Sequence, residues 1–276
     1  MFNLAVRGHD LTNVHSPQDL ASRISEQGIR NVQFALNASF PELSGAQLMN
    51  PGMGSFFKNE FQQQGIQVAL LSCYSNLIHP NPEEREKILQ KFERYLFHAR
   101  YFGASMVASE TGSVIPTLGY SEDNFATEVF DDLVGVVQRL VKAGENYQMV
   151  VGIEAGLNHP LFSNAKIQEL IDRVPSDFLG IVYDPTNLIT PETAKNQVEI
   201  VAEAFEQFGD KIVCLHLKDY VIEDGRVVSV PFGEGIITYK EILQIVKQYK
   251  PYCYVVLEGT KDDGIKRAVS MIEELK

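Results

Sequence analysis

Four apolar runs in the second half of the chain carry, at or near their ends, a residue able to bind a cation or move a proton. VVGIE closes on Glu154, IVYD on Asp184 and YVVLE on Glu258, and His216 interrupts VCLHL just before Lys218 and Asp219. Side chains alternate faces along a strand. His216 therefore shares a face with Cys214 and Lys218, opposite Val213, Leu215 and Leu217. Glu258 falls with Val256, Asp184 with Val182, and Glu154 with Gly152, each opposite a bulkier apolar pair.

Three carboxylates brought together out of water repel one another, and burying an unpaired charge is costly. A divalent cation removes that conflict. An oxygen-rich set with one imidazole suits a single Mn2+, Mg2+, Co2+ or Zn2+ ion, not a thiolate-selected metal. Singly, these residues have ordinary explanations: His216 as a hydrogen-bonded core histidine, Asp184 before Pro185 as turn chemistry. Their joint placement makes Glu154, Asp184, His216 and Glu258 the expected metal ligands.

Elements that could position them alternate along the whole chain. Strand-like runs lie near Phe2–Val6, Asn31–Leu36, Gln67–Cys73, Ser105–Ala108, Met149–Glu154, Leu179–Tyr183, Ile212–Leu217 and Tyr252–Glu258. Several are almost continuously apolar, as parallel strands covered on both faces are. Capping side chains before proline announce helices at Ser16-Pro17, Asn81-Pro82 and Thr190-Pro191, and Thr238–Glu241 reads as a capping box. Long helices are expected near Glu83–Phe102, Asp123–Glu145, Ala165–Val174, Ala194–Phe208 and Ile265–Leu275. Strands alternating with helices and no linker-like break predict an α/β fold, a single (β/α)8 TIM barrel over residues 1–276. No G-x-G-x-x-G follows the first strand, which argues against a dinucleotide-binding sheet. Two loops read as long, 37–55 and 218–237, the second with a hairpin turn at Asp224-Gly225. Barrel enzymes carry their sites at the C-terminal ends of the strands, where the four polar residues fall.

Composition excludes other classes. The chain has 276 residues, 45% hydrophobic and 22% charged, enough for a substantial core. A net charge of -12 without a Lys/Arg cluster speaks against nucleic acid and anionic lipid. No apolar run approaches a membrane span, and the N-terminus lacks a signal-peptide pattern. Cys73, Cys214 and Cys253 are widely spaced in apolar stretches, which fits reduced thiols in a cytoplasmic protein.

The motifs IE at 153–154, DPTN at 184–187, HLKD at 216–219, PFGEG at 231–235 and LEG at 257–259 resemble, in order and spacing, the xylose-isomerase-like TIM barrels. That group includes sugar and sugar-phosphate isomerases and epimerases together with endonuclease IV. The resemblance implies that Glu154, Asp184, His216 and Glu258 bind one divalent ion and that Glu154 and Glu258 double as catalytic acid and base. A ketose, keto-acid or sugar phosphate would lose a proton beside its carbonyl, through an enediolate that a Lewis-acidic metal stabilises. Many relatives have histidine three residues after the aspartate; here Asn187 stands there and can still hydrogen-bond a hydroxyl. Homo-oligomers are common in the group. With six histidines and an acidic balance, the chain does not fit the three-metal chemistry of endonuclease IV.

Substrate-binding candidates are Asn187, Lys218, His9, Arg7, Asn76 and Glu110, with Tyr74, His79, Asn158 and His159 nearby in the same loops. Gly233 and Gly235 could cradle a phosphate or simply make a turn. The alternatives to an isomerase are a metal-dependent hydrolase or lyase on the same barrel and a non-catalytic carbohydrate-binding protein.

Overall fold

The computed structural model describes residues 2–275. Its strands are β1 (Asn3–Arg7), β2 (Asn31–Phe34), β3 (Gln67–Ser72), β4 (Met106–Glu110), β5 (Val150–Glu154), β6 (Leu179–Tyr183), β7 (Ile212–Leu217), β8 (Asp219–Glu223), β9 (Arg226–Val230) and β10 (Tyr254–Leu257). Eight of them close into a barrel in the order β1-β10-β7-β6-β5-β4-β3-β2. Every pairing around it is parallel. β8 and β9 form a separate antiparallel hairpin. The chain is thus a single (β/α)8 TIM barrel, as the alternation of elements predicts. Among the described residues no helix is long and apolar enough to cross a membrane.

Two cores follow from strand alternation. Outward residues such as Ile153, Tyr183, Leu215 and Leu257 join one large core with the surrounding helices. The barrel interior is a smaller cluster of Ala5, Ala69, Leu70, Met106, Ala108, Val182, Cys214 and Val256. Gly152 completes this layer, because a Cβ there would stand 3.1 Å from both Ala108 Cβ and Val182 Cγ2. Two residues beyond Gly152, Val182, Cys214 and Val256 come Glu154, Asp184, His216 and Glu258. The inner apolar layer is therefore the floor on which the polar groups stand.

The helices are α1 (Pro17–Glu26), α2 (Leu36–Ser39), α3 (Pro51–Gln63), α4 (Pro82–Phe102), α5 (Thr127–Tyr147), α6 (Asn164–Arg173), α7 (Gln197–Phe208), α8 (Tyr239–Tyr249) and α9 (Asp263–Glu273). Ser16 and Asn81 cap α1 and α4 as expected. Other signals misled. Thr190-Pro191 opens a turn instead of a helix, and α7 begins only at Gln197, after a short 3-10 turn at Ala194–Asn196. Thr238 precedes α8 without capping it. The expected 37–55 loop holds α2 and the start of α3, whose glycines hide its helical character. Gly54 is needed where α3 meets α4, since a Cβ there would lie 2.6 Å from Tyr101 Cβ. Phe57 and Phe61, one turn apart, anchor α3 on Phe34 of β2 at 5.1 and 5.2 Å between ring centroids.

The 218–237 segment is ordered around one carboxylate. Asp219, 2% exposed, accepts backbone N–H bonds from Tyr220 (2.8 Å), Gly233 (2.8 Å), Gly235 (3.0 Å) and Ile237 (3.0 Å). The amides of Gly233 and Gly235 are thereby spent, so they do not form a phosphate cradle. Gly235 is required for contact, because a Cβ would approach Asp219 Oδ1 to 2.2 Å. The turn at Asp224-Gly225 has φ of 48° and 69°, the left-handed pair of a two-residue hairpin. Phe232 N–H donates to Thr260 Oγ1 at 2.9 Å, tying the hairpin base to the end of β10.

Asp219→Ala strips four backbone donors of their acceptor, those of Tyr220 and Ile237 buried. It should lower stability by about 3 kcal/mol or more, read as a shift in the urea midpoint; a loss below about 1 kcal/mol would show that water replaces the carboxylate.

Candidate metal centre

Glu154 ends β5, Asp184 follows β6, His216 lies within β7 and Glu258 follows β10. Each offers a ligand atom, and the four atoms lie within 4.8 Å of one another. Glu154, Asp184 and His216 are buried, and Glu258 is partly so. Parallel register supplies this convergence: Val256 pairs with His216 across β10 and β7, and Val182 with Cys214 across β6 and β7.

Two ligand atoms point at the cluster without an aligned partner. His216 Nε2 donates to Gln33 Oε1 at 2.8 Å, an amide oxygen that can only accept. In the neutral ring this leaves a lone pair on Nδ1, 2.9 Å from Glu258 Oε2 and 3.4 Å from Glu154 Oε1. Neither contact has hydrogen-bond geometry. Asp184 Oδ1 accepts from the Thr186 and Asn187 amides at 2.9 and 3.3 Å. Its Oδ2 lies 2.9 Å from Lys218 Nζ, an ion-pair contact off the hydrogen-bond direction. Three oxygen donors and one imidazole nitrogen, two of them buried and unaligned, fit a divalent cation.

The charges around these groups explain their titration. Burial opposes ionisation of Glu258, but His216, Lys218 and Arg7 outweigh it and hold the carboxyl well below its ordinary range. Burial pushes Asp184 up to about 6 against the pull of Lys218, with Glu258 and Glu154 adding to the rise. Burial alone would lower His216, but the charges of Glu154 and Glu258 raise it well above normal. Without an ion, a proton on His216 and the Lys218 ammonium take over the neutralisation.

The candidate substrate residues divide. Asn187 donates to Glu154 Oε1 and accepts from Lys218 Nζ, both at 2.9 Å. Lys218 also donates to Glu258 Oε1 at 2.8 Å. Arg7 reaches the same Glu258 oxygen at 3.1 Å while clamping Asp10 through two hydrogen bonds. Tyr74 OH donates to Glu154 Oε2. His9, Glu110, Asn158 and His159 line the cavity above the cluster. Glu110 is the register partner of Glu154 and contacts His159 Nε2 at 3.2 Å. Asn76, expected among the substrate contacts, does not line the cavity; its amide bonds Ser113 N, Ser113 O and Ile115 O, each at 2.9 Å, fixing the loop after β4. His79 likewise braces the start of α4 by accepting from Asn81 N at 3.1 Å.

Gln33 escaped the sequence reading. Its signal is visible in hindsight, as a buried amide in NVQF facing away from the apolar Val32 and Phe34. The hairpin turn was placed, but not its position over the site: Gly225, Arg226, Val227 and Ser229 wall a cavity of about 740 Å³.

The family described as xylose isomerase-like TIM barrel matches residues 21–275. No curated protein matches the chain. Among solved structures, a D-tagatose 3-epimerase-like protein has 17% identity and a TM-score of 0.78, covering 99% of this chain and 97% of that one. The IOLI protein, solved with a bound zinc atom, has 16% identity and a TM-score of 0.78, covering 99% and 98%. The probable 3-DHS dehydratase AsbF from Bacillus anthracis has 17% identity and a TM-score of 0.75, covering 99% of each chain. At such identities the likeness is one of fold.

Gln33→Leu removes the acceptor that fixes the His216 tautomer. It should weaken Mn2+ binding about 10- to 100-fold, measured by calorimetry; wild-type affinity would remove Gln33 from the account.

Proposed function

Because this chain belongs to the xylose isomerase-like TIM barrel family, we propose that it is a divalent-metal-dependent isomerase or epimerase of a ketose, keto-acid or sugar phosphate. The observation that carries this reading is the convergence of Glu154, Asp184, His216 and Glu258 within 4.8 Å, with Asp184 Oδ2 and His216 Nδ1 lacking aligned partners. We assign these four residues to one Mn2+, Mg2+, Co2+ or Zn2+ ion, and Glu154 and Glu258 also to proton transfer. When bound, the ion supplies Lewis-acid polarisation of a carbonyl oxygen.

The chain's own groups do the rest. Glu154 and Glu258 stand on β5 and β10, with β6 and β7 between them. They can therefore approach a bound sugar from two sides. A proton taken by one from the carbon beside a carbonyl and replaced by the other on the opposite face inverts that carbon. Return of the proton to the former carbonyl carbon, with a hydroxyl proton passing between the two neighbouring oxygens, isomerises the sugar instead. Tyr74, Asn187, Lys218 and Arg7 fix the carboxylates through the contacts already described, which limits reorganisation during transfer. Lys218 and Asn187 also present polar groups to substrate hydroxyls, with His9 and Glu110 further along the cavity. The cavity, about 740 Å³, has room for a sugar of five or six carbons.

A second reading, elimination of water, begins with the same proton removal and is favoured by the His159–Glu110 pair. Burial works against charge on His159, but bonds to Glu110 and the Gly112 carbonyl raise its pKa. An imidazolium in the cavity could protonate a leaving hydroxyl.

Incubation with a panel of ketoses and keto-acids in deuterated water tests both readings. Metal-dependent deuterium uptake beside the carbonyl is expected, and loss of water from the product marks elimination. Glu258→Gln and Glu154→Gln should each slow exchange about 10²- to 10⁴-fold while leaving the circular dichroism of the fold intact. Near-wild-type exchange in either variant would remove that glutamate from the chemistry, and phosphoester cleavage without exchange would replace the reading with hydrolysis.

A further inference from the structure

The charges lining the cavity are paired with one exception. Lys218 sits on Asp184 and Glu258, and Arg7 on Asp10 and Glu258. His159 sits on Glu110, while burial and the nearby Arg7 charge lower the pKa of His9. Arg226, at the first position of β9, also lines the cavity, and no carboxylate lies within ion-pair distance of it among the described residues. Its register partner across the hairpin is Glu223, yet the two side chains do not form an ion pair.

The hairpin that carries Arg226 is fastened at its base. Asp219 binds the first residues of β8 to the Gly233–Ile237 backbone. Ile236 N–H donates to Tyr220 O at 2.9 Å, and Phe232 N–H to Thr260 Oγ1 at 2.9 Å. A Cβ on Gly259, next to Glu258, would lie only 3.2 Å from Ser229 Oγ, so β9 runs close over the end of β10. Arg226, which is exposed, and Ser229 thus line the cavity from an arm fastened at its base.

We propose that Arg226 forms an anion subsite and that the substrate carries a phosphate or carboxylate on the end remote from its carbonyl. This rests on the proton-transfer reading and narrows it from ketoses in general to acidic ones. A guanidinium matches both oxyanions with paired N–H donors. In a protein of net charge -12, such an unmatched cation gives selectivity for an anion that the rest of the surface repels.

The test is calorimetric binding of matched pairs to the metal-loaded protein: dihydroxyacetone, xylulose and fructose against their terminal phosphates, and sorbose against 5-ketogluconate for the carboxylate arm. Each pair shares its metal-facing end, and the three lengths allow for reach. At least one anionic form should bind about 10- to 100-fold tighter than its neutral partner. Which arm shows the preference distinguishes phosphate from carboxylate. In Arg226→Gln the ratio should fall towards one, and in Arg226→Lys part of it should return. Equal binding of neutral and anionic forms by the wild type, or an undiminished preference in Arg226→Gln, overturns the subsite. Anion-selective binding without deuterium exchange contradicts the proton-transfer reading while leaving Arg226 in place, and failure to bind any compound overturns both.

Discussion

Mutual repulsion among Glu154, Asp184 and Glu258 is the constraint around which the rim of this barrel is organised. Three carboxyl groups sit within a few ångströms of one another, largely out of water. Nothing apolar can compensate for that, so the surrounding structure is devoted to charge and hydrogen bonding. Lys218 and Arg7 lean on Glu258, Asn187 links Glu154 to Lys218, and Tyr74 caps the other Glu154 oxygen. His216 offers the cluster one nitrogen because Gln33 takes the other. A divalent cation would complete the neutralisation and draw on the two buried atoms that this network leaves unaligned.

The apolar sequence around the site serves the same end. Ala5, Ala69, Ala108 and Gly152 keep the barrel interior narrow, with Val182, Cys214 and Val256 filling it. That floor places the next inward residue of each strand at a common height. It also explains why the convergence of these four side chains was legible in the sequence. The inward positions of a strand follow from alternation alone, and parallel register turns four such positions into one rim. Lys218 was legible for the same reason, two residues after His216.

Residues governed by loop geometry were not legible in this way. Asn76 looked like a rim residue, yet its amide fastens the loop after β4. Gly233 and Gly235 resembled an anion-binding turn, but Asp219, the last residue of HLKD, consumes their amides. Helix α3 was hidden because it opens with two glycines, poor helix formers, of which Gly54 is held there by packing against Tyr101. Gln33 belongs to a strand far from the four clustered residues in sequence, and only barrel closure brings it to His216. In each case the deciding partner lies in an element that no local pattern names.

The most direct test of the metal centre is anomalous diffraction from a crystal of the protein loaded with Zn2+. The account predicts one strong peak about 2.0–2.2 Å from His216 Nδ1 and from carboxylate oxygens of Glu154, Asp184 and Glu258. His216 Nε2 should still donate to Gln33. A map with no peak among these four residues, with Lys218 and a protonated His216 holding the carboxylates in its place, would contradict it.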